Sequence, residues 1–242
     1  MWTTTALASE FRAYSGEAWR IVEAQHRIST NRLAESLADQ ARLEALAEAA
    51  KPDLPQAARG LHYLLASPFR YGHAVASRFR KADERPGIFY ASEAEATALA
   101  EIAYWRLRFF ARAKGFAPGS TTTEYSSFSV ALKVERMIDL TEPPFARGRA
   151  QWTDPADYTA CQTLATAARA ANAQLIRSTS ARDPGHRANL ALIDPSGFAA
   201  RAPKHRQSWH VRYEGGQLTA LAAFPGRERT MFTPEQFGLV VG

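Results

Sequence analysis

The residues best placed for chemistry lie between Ser77 and Glu101. Three cations, Arg78, Arg80 and Lys81, precede a turn at Arg85-Pro86-Gly87, and the turn feeds a short apolar strand, Ile88-Phe89-Tyr90-Ala91. A helix follows at once and carries Glu101. A carboxylate beside small and aromatic side chains, one strand and one turn from a guanidinium cluster, can help hold a phosphate and stabilise a nearby cation. On spacing alone the plainer account is a glutamate at a helix edge reaching solvent and arginines coating the surface, because charged side chains are mostly exposed.

Other common sites are missing. The chain has no G-x-G-x-x-G after a strand, no G-x-x-x-x-G-K-[ST] loop, no H-E-x-x-H and no G-x-S-x-G. Its histidines, His26, His62, His73, His186, His205 and His210, do not pair at helical metal spacing and read as surface or hydrogen-bonded core residues. No metal is therefore expected. A single cysteine, Cys161, excludes an internal disulfide and any multi-cysteine metal site. What remains is a set of polar residues in loops and at strand ends: Arg70 and Tyr71, Arg78 and Arg80, Tyr90, Glu101, and the segment Ser178 to Asn189, with Arg182 a lesser candidate.

The elements that must position these residues follow from periodicity. Ser92 and Glu95 form an S-x-x-E capping box that fixes the start of the Glu101 helix, and Ala94, Ala98, Ile102, Trp105 and Phe109 give that helix one apolar face. Upstream, a short apolar piece around Trp19, Ile21 and Val22 precedes a helix capped at Ser29, Thr30 or Asn31. That helix runs through Leu33, Leu37, Leu43 and Leu46 to Ala50. A second helix spans Pro55 to Ala66, and Ser67 to Gly72 is a loop. Downstream, Phe128, Val130, Leu132 and Val134 alternate with Ser129, Ala131 and Lys133 as in a half-buried strand, which Met137 to Leu140 extends. Asp154-Pro155 starts a helix whose stripe, Tyr158, Cys161, Leu164, Ala165 and Ala168, makes Cys161 a small buried hydrophobe rather than a nucleophile. Gln174 to Arg177 and Asn189 to Ile193 read as strands, and Trp209 to Tyr213 and Leu218 to Phe224 as a hairpin across Glu214-Gly215-Gly216-Gln217. Helices first, then strands interspersed with helices, fit an α+β fold with a mixed or antiparallel sheet rather than a doubly wound one. Residues 1–66 form an N-terminal helical extension packed on a core of residues 67–242, as one structural unit.

The 242 residues are 46% hydrophobic, enough for a sizeable core. The net charge of +6 favours acidic partners, but the cations are scattered rather than blocked, so a nucleic-acid arm is not indicated. Neither a signal peptide nor a run of 18 apolar residues is present, so the expectation is a cytoplasmic protein that does not enter a membrane.

GIFYAS followed by TALAE, then DYTACQTLA, then the serine of STSARDPGHRANLAL, resembles the RES-domain family over roughly residues 16–225. That family is named for an arginine, a glutamate and a serine, and its members are toxins of bacterial toxin–antitoxin pairs that consume NAD. The resemblance implies a fold similar to the ADP-ribosyltransferase toxins. It assigns Glu101, Tyr90 and Arg78 to catalysis. Arg78, Tyr90, Ser180 and Asn189 would contact NAD, with Arg80, Arg70 and Tyr71 as further binding candidates. SRFRK stands where shorter members have GGRWN, which leaves the phosphate contact open between Arg78 and Arg80. The implied activity is cleavage of the nicotinamide–ribose bond with transfer of ADP-ribose to a host protein, phosphoribosyl pyrophosphate synthetase being one reported kind of target. Destruction of NAD by hydrolysis or phosphorolysis begins with the same bond, and a catalytically inert binding module is the alternative of another class. The implied partners are NAD, the host target and a cognate antitoxin that occludes the site.

Overall fold

In the computed structural model, which describes residues 2–24, 36–112 and 120–239, the frame is one eight-stranded sheet. In chain order the strands are β1 (Arg12–Glu23), β2 (Phe89–Ser92), β3 (Ser120–Asp139), β4 (Leu175–Thr179), β5 (Ala188–Leu192), β6 (Lys204–Glu214), β7 (Gln217–Ala222) and β8 (Arg229–Phe232). Their order in the sheet is β1-β2-β5-β4-β3-β6-β7-β8. Strand β1 pairs with β3 as well as β2, so five strands close into a ring of pairings. The β3–β4 contact is parallel and the other pairings are antiparallel. The α+β expectation with a mixed sheet therefore holds.

The alternation read along β3 is present: Phe128, Val130, Leu132 and Val134 are buried while Lys133 and Glu135 reach solvent. With Ala18, Phe89, Ala91, Leu175, Leu190 and Leu192 they build a cluster closed by Leu65 and Phe69. A second cluster packs Ile138, Ile176 and Ala191 against Cys161, Leu164, Ala165 and Ala168. Cys161 is thus the buried small residue expected, with its thiol pKa pushed up by burial. The expected hairpin is also present: β6 and β7 meet across Gly215 and Gly216, both at positive φ, as a tight hairpin turn requires.

Helices α1 (Thr4–Ala8), α2 (Leu37–Ala49), α3 (Tyr63–Arg70), α4 (Glu95–Arg112), α5 (Arg149–Trp152) and α6 (Thr159–Ala170) surround the sheet. The front end is not wholly helical, because the piece around Trp19 is part of the 12-residue strand β1. The expected caps at Ser29, Thr30 and Asn31 lie outside the described residues. Helix α2 is instead capped by Ser36, whose Oγ accepts from the Asp39 amide, and none of its residues is buried; Leu37 is 86% exposed. Its three leucines therefore make no core face. The stretch expected as a Pro55–Ala66 helix is a 3₁₀ turn, Gln56–Ala58, followed by α3, which runs on through the expected loop to Arg70. Pro68 sits three residues from the end of α3, where its missing amide forfeits one hydrogen bond. Helix α6 begins at Thr159, since Asp154 Oδ1 accepts from the amides of Ala156 and Asp157 and turns the chain there.

The largest departures concern α4. Ser92 ends β2 opposite Asn189, and its Oγ donates to Asn189 Oδ1 rather than capping the helix. Glu95 accepts from Trp209 Nε1 at 2.9 Å, so the capping box is not made. The sheet claims both residues. Helix α4 buries Ala98, Leu99, Ala103 and Leu107, whereas Trp105 and Phe109 are 51% and 56% exposed. The small alanines, not the large aromatics, let the helix lie close on the strands.

Candidate functional site

Strand β2 ends where Ser92 pairs with both Trp19 and Asn189, and α4 leaves the sheet at that point. The crevice beside this junction is a cavity of about 370 Å³, within the range of small-ligand pockets. Trp19, Arg20, Arg78, Tyr90, Glu101, Trp105, Tyr158, Arg182 and Asn189 line it.

Among the described residues, Glu101 is the one carboxylate on this lining. Two residues from distant parts of the chain meet its Oε1: Ser180 Oγ donates at 2.7 Å and Asn189 Nδ2 at 2.5 Å. Both are placed by the sheet. Asn189 belongs to β5, and its own Oδ1 is occupied by Ser92 Oγ, which orients the amide so that nitrogen faces Glu101. Ser180 follows β4, and its Oγ accepts from the amides of Arg182 at 3.1 Å and Asp183 at 3.0 Å. With the serine lone pairs engaged, its proton goes to Glu101. Bonds at Oε1 leave Oε2 as the oxygen free to act on a ligand.

Three guanidiniums oppose that carboxylate, and none has an ion-pair partner among the described residues. Arg78 donates to the Trp152 carbonyl at 2.7 Å and lies 4.7 Å over the ring of Tyr158. Arg182 donates to the Pro155 carbonyl at 2.8 Å and stacks on Tyr104 at 3.6 Å. Arg20 donates to the Tyr90 carbonyl at 3.2 Å and sits over Phe89, and burial pulls its pKa down to about 10, so it is charged at neutral pH. Three positive charges share the lining with the Glu101 carboxylate, and Asp154 lies close enough to Arg78 and Arg182 to be stabilised by both, so the balance is still positive and suits an anion.

Tyr90 also borders the cavity. Its hydroxyl shares a hydrogen bond with Ser77 Oγ at 2.8 Å and accepts from the Phe79 amide at 3.2 Å; burial raises its pKa. The phenol is therefore fixed, leaving the ring as the part that can meet a ligand.

The structure thus gathers Arg78, Tyr90, Glu101, Ser180, Arg182 and Asn189, which the sequence spreads over more than a hundred residues. It does not gather the others. Arg80 is buried and donates to the carbonyls of His73, Val75 and Lys81, so it folds the loop before β2 instead of facing the cavity. Arg70 pairs with Glu48 at 2.6 Å, and Tyr71 packs near His73; neither lines the crevice. Arg20 and Trp19 escaped the sequence reading. The available signal was an arginine in the middle of the apolar run Trp19-Arg20-Ile21-Val22, where a strand must bury it or aim it at a site.

Among the described residues no helix is long and apolar enough to cross a membrane, and no group of three or more His, Cys, Asp or Glu side chains is placed to hold a metal. A search of curated proteins gives no match. Among solved structures, a chain of the M. tuberculosis MbcT-MbcA toxin-antitoxin complex is similar at 12% identity and a TM-score of 0.49, covering 97% of this chain and 93% of that one. The RES domain family matches residues 53–214, which take in Arg78, Tyr90, Glu101, Ser180 and Asn189, and the chain belongs to the RES-domain family.

Proposed function

We propose that this protein is a toxin that cleaves the nicotinamide–ribose bond of NAD at Glu101 and transfers the ADP-ribose to a host protein. One observation carries the reading: among the described residues, a single lining carboxylate, held by Ser180 and Asn189, shares the crevice with three guanidiniums that have no ion-pair partner. NAD presents the complementary pattern, a pyrophosphate with two negative charges and, beyond it, a ribose that becomes cationic as its C1′–N bond breaks. Membership of the RES-domain family supports NAD as the co-substrate.

In this account Arg78, Arg20 and Arg182 receive the pyrophosphate through charge-assisted hydrogen bonds. The Tyr90 ring covers the nicotinamide. As the bond lengthens, its electron pair leaves with neutral nicotinamide and positive charge grows on the ribose. Glu101 Oε2 stabilises that charge, which exists mainly in the transition state, by the same logic as the carboxylates of glycoside-cleaving enzymes. The incoming nucleophile then bonds to C1′ and gives its proton to the carboxylate. Ser180 and Asn189 keep Glu101 from rotating away. A cognate antitoxin covers the crevice when the toxin must be silent, placing a carboxylate or a backbone carbonyl against Arg78.

The acceptor is tested by incubating the protein with NAD labelled in the ADP-ribose moiety and a cell lysate. A labelled protein band is the expected result. Free ADP-ribose or its phosphorylated form with no labelled band would replace transfer by hydrolysis or phosphorolysis.

A further inference from the structure

One buried charged group near the crevice has no part in that chemistry. Asp183 is 2% exposed and lies in the turn between β4 and β5, three residues after Ser180. Its Oδ2 accepts from Thr97 Oγ1 at 2.7 Å and from Arg187 Nε at 2.6 Å, while its Oδ1 accepts from the Gly185 amide at 2.9 Å and from Arg187 Nη2 at 2.9 Å. Thr97 is itself fully buried and stands one turn before Glu101 on α4. The turn and the helix are therefore joined at three successive positions of one helix face. Thr97 meets Asp183, Glu101 meets Ser180, and Tyr104 carries the Arg182 guanidinium.

We infer that Asp183 and Thr97 are positioning residues that lock the 180–187 turn onto α4, and so set both the Ser180 bond to Glu101 and the aim of Arg182 into the crevice. The inference rests on the proposed NAD reaction for its catalytic consequence, but its geometry is independent of it. The Arg182 and Asp183 amides, by occupying the lone pairs of the Ser180 hydroxyl, direct its proton at Glu101. Those amides stay in place only if the turn cannot swing, and of the three links between the turn and the helix bearing Glu101 the Thr97–Asp183 bond is the charge-assisted one buried at both ends. Burial alone would raise the Asp183 pKa, but Arg187, Thr97 and the Gly185 amide outweigh it and hold the group ionised well below the usual carboxylate range. At neutral pH the clamp is therefore always charged. Arg187 closes it from the solvent side.

Two substitutions test this, the second being mild enough to fold if the first is not. Asp183→Asn removes the charge; Thr97→Val keeps the shape and loses the hydroxyl, and Thr97→Ser serves as the rescue. Hydrogen–deuterium exchange reads the geometry without any substrate. The Arg182 and Asp183 amides should exchange about tenfold faster in Thr97→Val, while the β5 amides of Ala188 to Leu192 stay protected. Unchanged exchange, or equal acceleration everywhere, would overturn the clamp. In NAD cleavage, Thr97→Val should lower kcat about five- to tenfold at unchanged KM, and Thr97→Ser should restore it. In a Ser180→Ala background, Asp183→Asn should cost nothing further, because coupled residues give non-additive losses. Losses that multiply would mean that Asp183 acts on stability alone. A wild-type protein that cleaves no NAD would count against the proposed function, and the exchange measurement would still decide the clamp.

Discussion

Ser180→Ala should destabilise the fold through the two amides that the serine oxygen serves. The side chain is 1% exposed and its oxygen serves three partners, donating to Glu101 and accepting from two amides. Alanine leaves both amides without a protein acceptor at a buried position. Each unsatisfied buried amide costs about 1–3 kcal/mol, and the lost donor to Glu101 adds to this. Partial access of water through the crevice lowers the sum, so a net loss of about 2–4 kcal/mol is expected. For a domain of this size each kcal/mol moves Tm by about 2–4 °C, so Tm should fall by about 4–16 °C. Thermal unfolding followed by circular dichroism, with Thr166→Ala on the exposed side of α6 as the control, is sufficient. A fall of less than about 2 °C would refute the reasoning, because it would mean that the Ser180 oxygen is not the acceptor those amides depend on.

Three further outcomes follow from the same geometry. Arg20→Met should leave the fold intact and raise Tm by a few degrees, since a half-buried guanidinium without an ion-pair partner among the described residues is replaced by an apolar side chain of similar length; isothermal calorimetry should show NAD binding weakened by about tenfold or more. Asn189→Ala, which frees Glu101 Oε1 from one of its two donors, should lower the rate of nicotinamide release about tenfold with KM little changed. The Asp183 carboxyl titrates lower in the folded chain than in the unfolded one, so its stabilisation is complete above about pH 4–5 and is lost as pH falls through the unfolded and then the folded pKa. Denaturant titrations between pH 2 and 7 should show a shallower acid limb for Asp183→Asn than for wild type.

The legible part of this molecule is the part that local rules control. Alternation along Phe128 to Val134 gave a strand because one face of β3 meets an apolar cluster and the other carries Lys133 and Glu135. The Glu214-Gly215-Gly216-Gln217 turn gave a hairpin because two consecutive glycines supply the positive φ that the turn needs. The site was partly legible through the types of its residues, but not through its assembly. Ser92 and Glu95 satisfy the capping-box spacing, yet Asn189 and Trp209, about a hundred residues away, hold those side chains instead, and no local pattern registers such partners. Arg78 and Arg80 look equivalent in SRFRK. Only the carbonyls of His73, Val75 and Lys81, brought together by the loop, separate a structural arginine from one that lines the crevice. Arg20 was hidden for the opposite reason: in an apolar run it reads as an interruption, and its role appears when β1 is seen to border β2 where the crevice opens.

The part assigned to Glu101 is decided by the nicotinamide that the purified protein releases from NAD, compared between wild type and Glu101→Gln. The substitution keeps the shape and the Ser180 contact while removing the charge that faces the developing cation. Removal of a group that stabilises transition-state charge lowers the rate by about a hundredfold or more, and that loss, with Tm within a few degrees of wild type, is the predicted result. Equal rates for the two proteins would contradict the account.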